Sequence, residues 1–261
     1  MFENPVKEKL ARGEVAWGAS ALLADAFANQ LVISTGVDFL WIDTEHSPFG
    51  PEDVGLVPVL ARQHRCVPLI RVAGLDSSLI KKSLDAGASA IMVPQVNNAE
   101  EARLAVRFAK YPPEGARGVS PLWTFHAGVS WDDYLPRANR EVCVVLQVES
   151  LEGADNIEAI AAVDGVDVLF AGPADLSAAL GVIGQMSHPK LVDFLAEFPR
   201  RVAATGKAAG ISVGSFEAAR KAYDQGYRFI SFGNLLFSGL HGLTRDLKEL
   251  RAVCGNSNPH R

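Results

Sequence analysis

The stretch VCVVLQVESLEGADNIEAIAAVDGVDVLFAGPADLS, residues 142–177, holds in miniature the pattern that decides the fold. Two apolar, β-branched runs, VCVVLQVE (142–149) and VDVLFAG (166–172), flank a gap filled by a helix. Unbroken apolarity, rather than strict alternation, marks strands buried on both faces, as in a parallel sheet. Both runs end on polar groups: Gln147 and Glu149 close the first, and the second leads into Asp175.

Six further runs of the same kind lie outward from this unit: VAWGAS (15–20), DFLWIDTE (38–45), VPLIRV (67–72), AIMVPQV (90–96), AAGISVG (208–214) and FISFGN (229–234). Helical stripes alternate with them. Ala102, Ala105, Val106 and Ala109 share one face, as do Leu191, Phe194, Leu195, Phe198 and Val202, and then Leu240, Leu243, Leu247 and Leu250. Spacings of three and four residues predict amphipathic helices docked on a sheet. Eight βα units in an α/β chain of 261 residues predict a single-domain (β/α)8 TIM barrel, a fold that typically takes about 250 residues. No G-x-G-x-x-G follows the first strand, where a dinucleotide fold would place it. Residues 111–141 exceed an ordinary connection and suggest a functional or interface segment.

Composition narrows the function. A net charge of −5 with scattered basic residues predicts no nucleic-acid partner. No apolar run approaches a membrane span, and the polar start MFENPVKEKLARGE is not a signal peptide. Cys66, Cys143 and Cys254 have neither metal-site spacing nor an even count. A soluble cytoplasmic protein is expected.

In such barrels the reactive groups sit at the C-terminal ends of the strands. Here those ends carry Asp43, Glu45 and His46, then Arg71, then Gln147 and Glu149, then Asp175. Polar groups in apolar strands are costly unless paired or bound to an ion. Glu149 and Asp175 come from adjacent strands without a neighbouring histidine or cysteine. An all-oxygen donor set favours a hard divalent metal, Mg²⁺ or Mn²⁺ and possibly Co²⁺. Asp175 in GPADLS also has a structural reading, as a helix N-cap. Arg71 offers a cationic fork to a carboxylate or enolate oxygen, or alternatively a buried salt bridge to Asp43 or Glu45. His46 is the histidine placed at a strand end, a proton carrier that Asp43 could orient. None of the nine lysines closes a strand, which argues against Schiff-base chemistry.

The segments WIDTEHSPFG, PLIRVAG, LIKKSLDAGASAIMVPQVNNAEEA, YPPEGARGV, VVLQVES, GPADLSAALG and ARKAYDQGYRFISFG together resemble the HpcH/HpaI-type aldolases of the phosphoenolpyruvate/pyruvate barrel superfamily. The resemblance runs over roughly residues 4 to 250. It implies aldol cleavage of 4-hydroxy-2-oxo acids to pyruvate and an aldehyde, with no organic cofactor. It also implies that Glu149 and Asp175 are metal ligands, and that His46 with Asp43 is the base. Arg71 and Gln147 would hold pyruvate, packed against the backbone around Gly172 and Ala174. A homo-oligomer follows, a trimer-based hexamer with the C-terminal helical segment exchanged between subunits. Thr44, Phe49-Gly50, residues 120–131 and Ser212 depart from the pattern, so the resemblance covers the pyruvate half of the site and leaves the aldehyde partner open. A CoA-thioester lyase of the citrate or malyl type is the alternative on the same scaffold.

Overall fold

The computed structural model describes residues 3–254. Eight parallel strands close into a barrel in sequence order. They are β1 (Ala16–Ala21), β2 (Phe39–Asp43), β3 (Val67–Arg71), β4 (Ala90–Val93), β5 (Cys143–Val148), β6 (Val168–Ala171), β7 (Ala208–Val213) and β8 (Phe229–Asn234). All eight expected strands are present, most of them shorter at the C-terminal end. At the end of β4, Pro94 has no N–H and Gln95 takes a left-handed φ of 52°.

Alternation along each strand splits the apolar residues into two cores. Leu40, Ile42, Ile70, Ile91, Leu146 and Leu169 face the helical shell. Phe39, Trp41, Leu69, Val145, Phe170 and Phe229 fill the barrel. Phe39 and Phe229 stack at 4.0 Å between ring centres. Gly18 makes room for them, since a Cβ there would sit 2.1 Å from the Phe39 ring. The N-terminal helix Pro5–Ala11 plugs the lower end: Val6 is fully buried in the inner core. Lys7 and Lys9 tie that helix to Asp167 and Asp38 at 3.0 and 2.7 Å.

Residues 111–141 are not an open loop. They hold the helices Trp123–Ala127 and Trp131–Glu141, and Trp123, Tyr134 and Ala138 pack with Val59 and Tyr111 into a satellite core. The segment joins a shell helix to β5 on the flank of the barrel, and its charged and aromatic anchors lie away from the mouth. The signal passed over was SWDD, in which the Ser130 hydroxyl caps the second helix by accepting from the Asp133 amide at 3.1 Å.

One expectation fails outright. Leu240, Leu243, Leu247 and Leu250 were expected to dock on the sheet. Instead the 20-residue helix Leu235–Cys254 has no buried residue, and these leucines are 57, 73, 46 and 60% exposed. The helix leaves the barrel rather than folding back over the β8–β1 seam. That seam, between helices Ala26–Ser34 and Phe216–Gln225, is an apolar trough of about 600 Å³ lined by Trp17, Leu31, Val32, Phe216, Tyr223 and Phe232. Among the described residues, no helix is long and apolar enough to cross a membrane.

Candidate active site

Register brings the mouth residues together. Asp43 and Arg71 are direct partners across β2 and β3. Arg71 donates from Nε to Asp43 Oδ1 at 2.9 Å and from Nη2 to Oδ2 at 2.5 Å, a bidentate fork. Its Nη1 lies 3.0 Å from Glu45 Oε2 in an ion pair without hydrogen-bond geometry, leaving N–H donors for a ligand. The guanidinium also sits 4.8 Å over the Trp41 ring. Thr44 staples the two strand ends, its amide and hydroxyl donating to the Arg71 carbonyl at 3.0 and 2.6 Å.

Burial alone would push the Asp43 carboxyl up. The fork, charge and backbone amides outweigh that, and it lies below its ordinary value. Asp43 Oδ1 accepts from the backbone amides of Glu45 and His46 at 3.1 and 3.4 Å. It does not meet the imidazole, because its oxygens are taken by Arg71 and these amides. The carboxylate beside the His46 ring is Glu45, 3.7 Å from Nε2, and the His46 side chain is 64% exposed. Glu45 is thus the partner that sequence reasoning did not single out. Its carboxyl is raised, by burial first and then by Asp43 and Asp175 against the pull of Arg71 and His46.

Glu149 follows β5 and is buried. Gln147 Nε2 donates to its Oε1 at 2.7 Å and the Gln95 amide to its Oε2 at 3.2 Å. Gly172 makes the close approach possible, since a Cβ there would lie 2.4 Å from Glu149 Oε1. Burial, reinforced by the charges of Asp175 and Glu45, pushes the Glu149 carboxyl up to about 7. Asp175 stands exposed in the first turn of helix Pro173–Ala179, whose N-cap is Gly172, so it is not the cap. Ala174 is exposed beside it. Gln147 Oε1 is buried without a hydrogen-bond partner.

The charges of Asp175 and Glu45 push the Glu149 carboxyl up, and those of Asp43 and Asp175 push Glu45 up, so buried Glu149, half-buried Glu45 and exposed Asp175 make a site with excess negative charge and oxygen donors. A hard divalent cation fits that chemistry. Among the described residues, no group of three or more histidine, cysteine, aspartate or glutamate side chains is placed to hold a metal ion, so the protein ligands would be the pair Glu149 and Asp175. Cys66 and Cys143 are buried free thiols, and burial pushes the first up to about 12. They take no part in the mouth.

Known proteins bear on this geometry. The sequence pattern of the HpcH/HpaI aldolase/citrate lyase family matches residues 20–239. The chain belongs to that family. A hydroxypyruvate/pyruvate aldolase of Roseobacter denitrificans is 38% identical over 229 residues, covering 87% of this chain and 90% of the relative. A 4-hydroxy-2-oxovalerate aldolase of Novosphingobium aromaticivorans is 38% identical over 249 residues, covering 95% of each. The crystal structure of a family protein from Burkholderia cenocepacia superposes with a TM-score of 0.88 at 35% identity, covering 95% of this chain and 99% of that one. Family membership makes the chain a carbon–carbon lyase.

Proposed function

We propose that this chain is a divalent-metal-dependent aldolase that cleaves 4-hydroxy-2-oxo acids to pyruvate, or a close 2-oxo acid, and an aldehyde. The observation that carries the reading is the pairing of a carboxylate cluster centred on buried Glu149, whose carboxyl its acidic neighbours push up, with a fork-held arginine at one barrel mouth. Relatives at 38% identity named for such aldolases support it over the CoA-thioester lyase alternative.

Glu149 and Asp175 would hold the cation, Mg²⁺ or Mn²⁺, possibly Co²⁺. When bound it would polarise the 2-oxo group and supply charge for the enolate. Gln147 lines the keto-acid pocket beside Glu149, with the backbone of Gly172 and Ala174 forming the wall. Arg71, held rigid by Asp43, directs its remaining N–H donors at the oxygen that becomes negative as the C3–C4 bond breaks. His46, exposed at the rim beside Glu45, takes the 4-hydroxyl proton. The proton then returns to C3 and yields the methyl group of pyruvate. The reaction runs in the cytoplasm, where unpaired thiols persist.

Proton NMR of pyruvate in D₂O tests the reading without knowledge of the aldehyde. With enzyme and Mn²⁺ or Mg²⁺, the methyl signal should exchange away, and EDTA should stop the exchange. A methyl signal that persists with metal present would overturn the assignment.

The assembly reading rests on the bare leucine stripe and the empty seam. The trough occupies the place where the eighth helix of a barrel ordinarily lies, and the chain's own eighth helix points away from it. We place the Leu235–Cys254 helix of a second copy there, within a trimer-based hexamer. Sedimentation equilibrium should give six copies, and Leu243→Asp should give smaller species. A monodisperse wild-type monomer would sink this part.

A further inference from the structure

The turn after β4 does something that neither the cation pair nor the arginine explains. Gln95, a residue with a Cβ, is held at a φ of 52°, a region that L side chains seldom occupy. The conformation has one visible product: the Gln95 amide turns onto Glu149 Oε2 at 3.2 Å. The next amide, of Val96, donates to the Gln147 carbonyl at 3.0 Å and fastens the turn to β5.

Asn97 locks this arrangement, and every polar group it owns is used. Its Nδ2 donates to the Gln95 carbonyl at 2.9 Å. Its Oδ1 accepts from the hydroxyl of Ser150, the residue that follows Glu149. Its amide donates to Glu101 Oε2 at 2.7 Å, and its carbonyl accepts from Asn156 Nδ2 at 2.9 Å. Beneath them the helix Leu151–Asp155 packs so closely that a Cβ on Gly153 would lie 2.8 Å from the Val96 carbonyl. Asn97 therefore ties the loop that supplies an amide to Glu149 to the loop that carries Glu149.

We propose that Asn97 is a positioning residue that sets the affinity of the site for its divalent cation by fixing the Gln95 amide against Glu149. The proposal rests on the reading of Glu149 as a cation ligand. With Gln147 holding Oε1 and the Gln95 amide holding Oε2, the Glu149 carboxylate presents its remaining lone pairs in one direction. When the Gln95 amide swings free, the carboxylate is held at Oε1 alone, the cation itself must fix its rotation, and affinity falls. Partners of this outer kind typically change metal affinity by about 10–100-fold. The side chain touches no reacting atom, so turnover at saturating metal should survive its loss.

The test is Mn²⁺ binding to the metal-free, full-length protein, followed by the electron paramagnetic resonance signal of free Mn²⁺. Wild type, Glu149→Gln, Asn97→Ala and Asn97→Leu are compared, the last keeping volume while removing the hydrogen bonds. Glu149→Gln should abolish tight binding. Both Asn97 variants should bind Mn²⁺ at least ~10-fold more weakly than wild type while kcat at saturating Mn²⁺ stays within about threefold. A merely structural role would lower the melting temperature without that split between affinity and kcat. If either folded Asn97 variant binds Mn²⁺ like wild type while Glu149→Gln does not, the positioning role is refuted and the ligand assignment stands. If Glu149→Gln binds like wild type, the ligand assignment falls and the positioning role with it.

Discussion

Among the described residues, arginines are buried in two places, and they serve different ends. Arg71 lies at the mouth, forked onto Asp43 and paired with Glu45. Arg62 and Arg117 lie on the flank. Arg62 donates to the Gly87 and Ala88 carbonyls at 2.6 and 2.9 Å and sits 4.1 Å over Trp123. Arg117 donates to Asp85 at 2.7 Å and sits 4.4 Å over Tyr111. Each site has a buried cation, an aromatic platform and nearby oxygen acceptors. A buried arginine is therefore no sign of catalysis by itself. The mouth differs in its surplus of acid: two carboxylates meet Arg71, and Glu149 and Asp175 stand within electrostatic reach. On the flank two arginines lie near the one carboxylate of Asp85, and other bonds of theirs end on neutral acceptors, the Gly87 and Ala88 carbonyls and the Tyr134 hydroxyl. Excess negative charge awaiting a cation separates a reaction site from a structural clasp.

Substitution at the two sites should separate these roles. Arg71→Ala should cost at least ~100-fold in turnover of pyruvate exchange or aldol cleavage, through loss of an oxyanion-stabilising donor. His46→Ala should cost aldol cleavage about as much, through loss of the base. Arg71→Lys should recover little, because an ammonium cannot reproduce the fork. Steady-state kinetics decide this, and near-wild-type kcat in Arg71→Ala would erase the distinction.

Arg117→Ala should do the reverse. Stranding half-buried Asp85 should cost about 3 kcal/mol and lower the melting temperature by roughly 5–10 °C. The kcat of the folded fraction should stay unchanged. Calorimetry and kinetics on one preparation check both halves.

The smallest effect sharpens the charge argument. The folded-state Glu149 carboxyl is raised to about 7, well above its value in the unfolded chain. Between the two, the folded metal-free protein holds a proton that the unfolded chain has released, so stability falls as pH rises through that window. Glu149→Gln carries no such term. In EDTA it should be more stable than wild type by about 2 kcal/mol at pH 8, with the gap closing toward pH 4.5. Urea unfolding at both pH values measures it. An identical gap at both would mean an unstressed carboxyl.

Much of this was legible in residue order. Eight apolar runs decided the barrel because burial on both faces leaves an uninterrupted hydrophobic signature. Asp43, Arg71, Gln147 and Glu149 stood out because each breaks such a run at its polar end. The partnership of Glu45 with His46 was not legible, because residues adjacent in sequence give no clue to which carboxylate an imidazole meets once the strand has ended. Gln95 was silent for a deeper reason: its contribution is a backbone amide aimed by a positive φ, and glutamine does not announce that geometry. The C-terminal stripe read as a docked helix because amphipathicity reports that a face needs cover, not which surface provides it.

The N-terminal helix sealing the barrel floor has a kinetic consequence. With Val6 sealed beneath Phe39 and Phe229, the barrel interior is solid, and whatever binds at the mouth must leave by the same face. In the proposed mechanism the aldehyde would form on the outer side, next to exposed His46, while the keto acid would sit inward against Gln147 and Arg71. Departure would then be queued, aldehyde first and pyruvate last, so pyruvate should compete directly with the cleavage substrate for the vacated mouth.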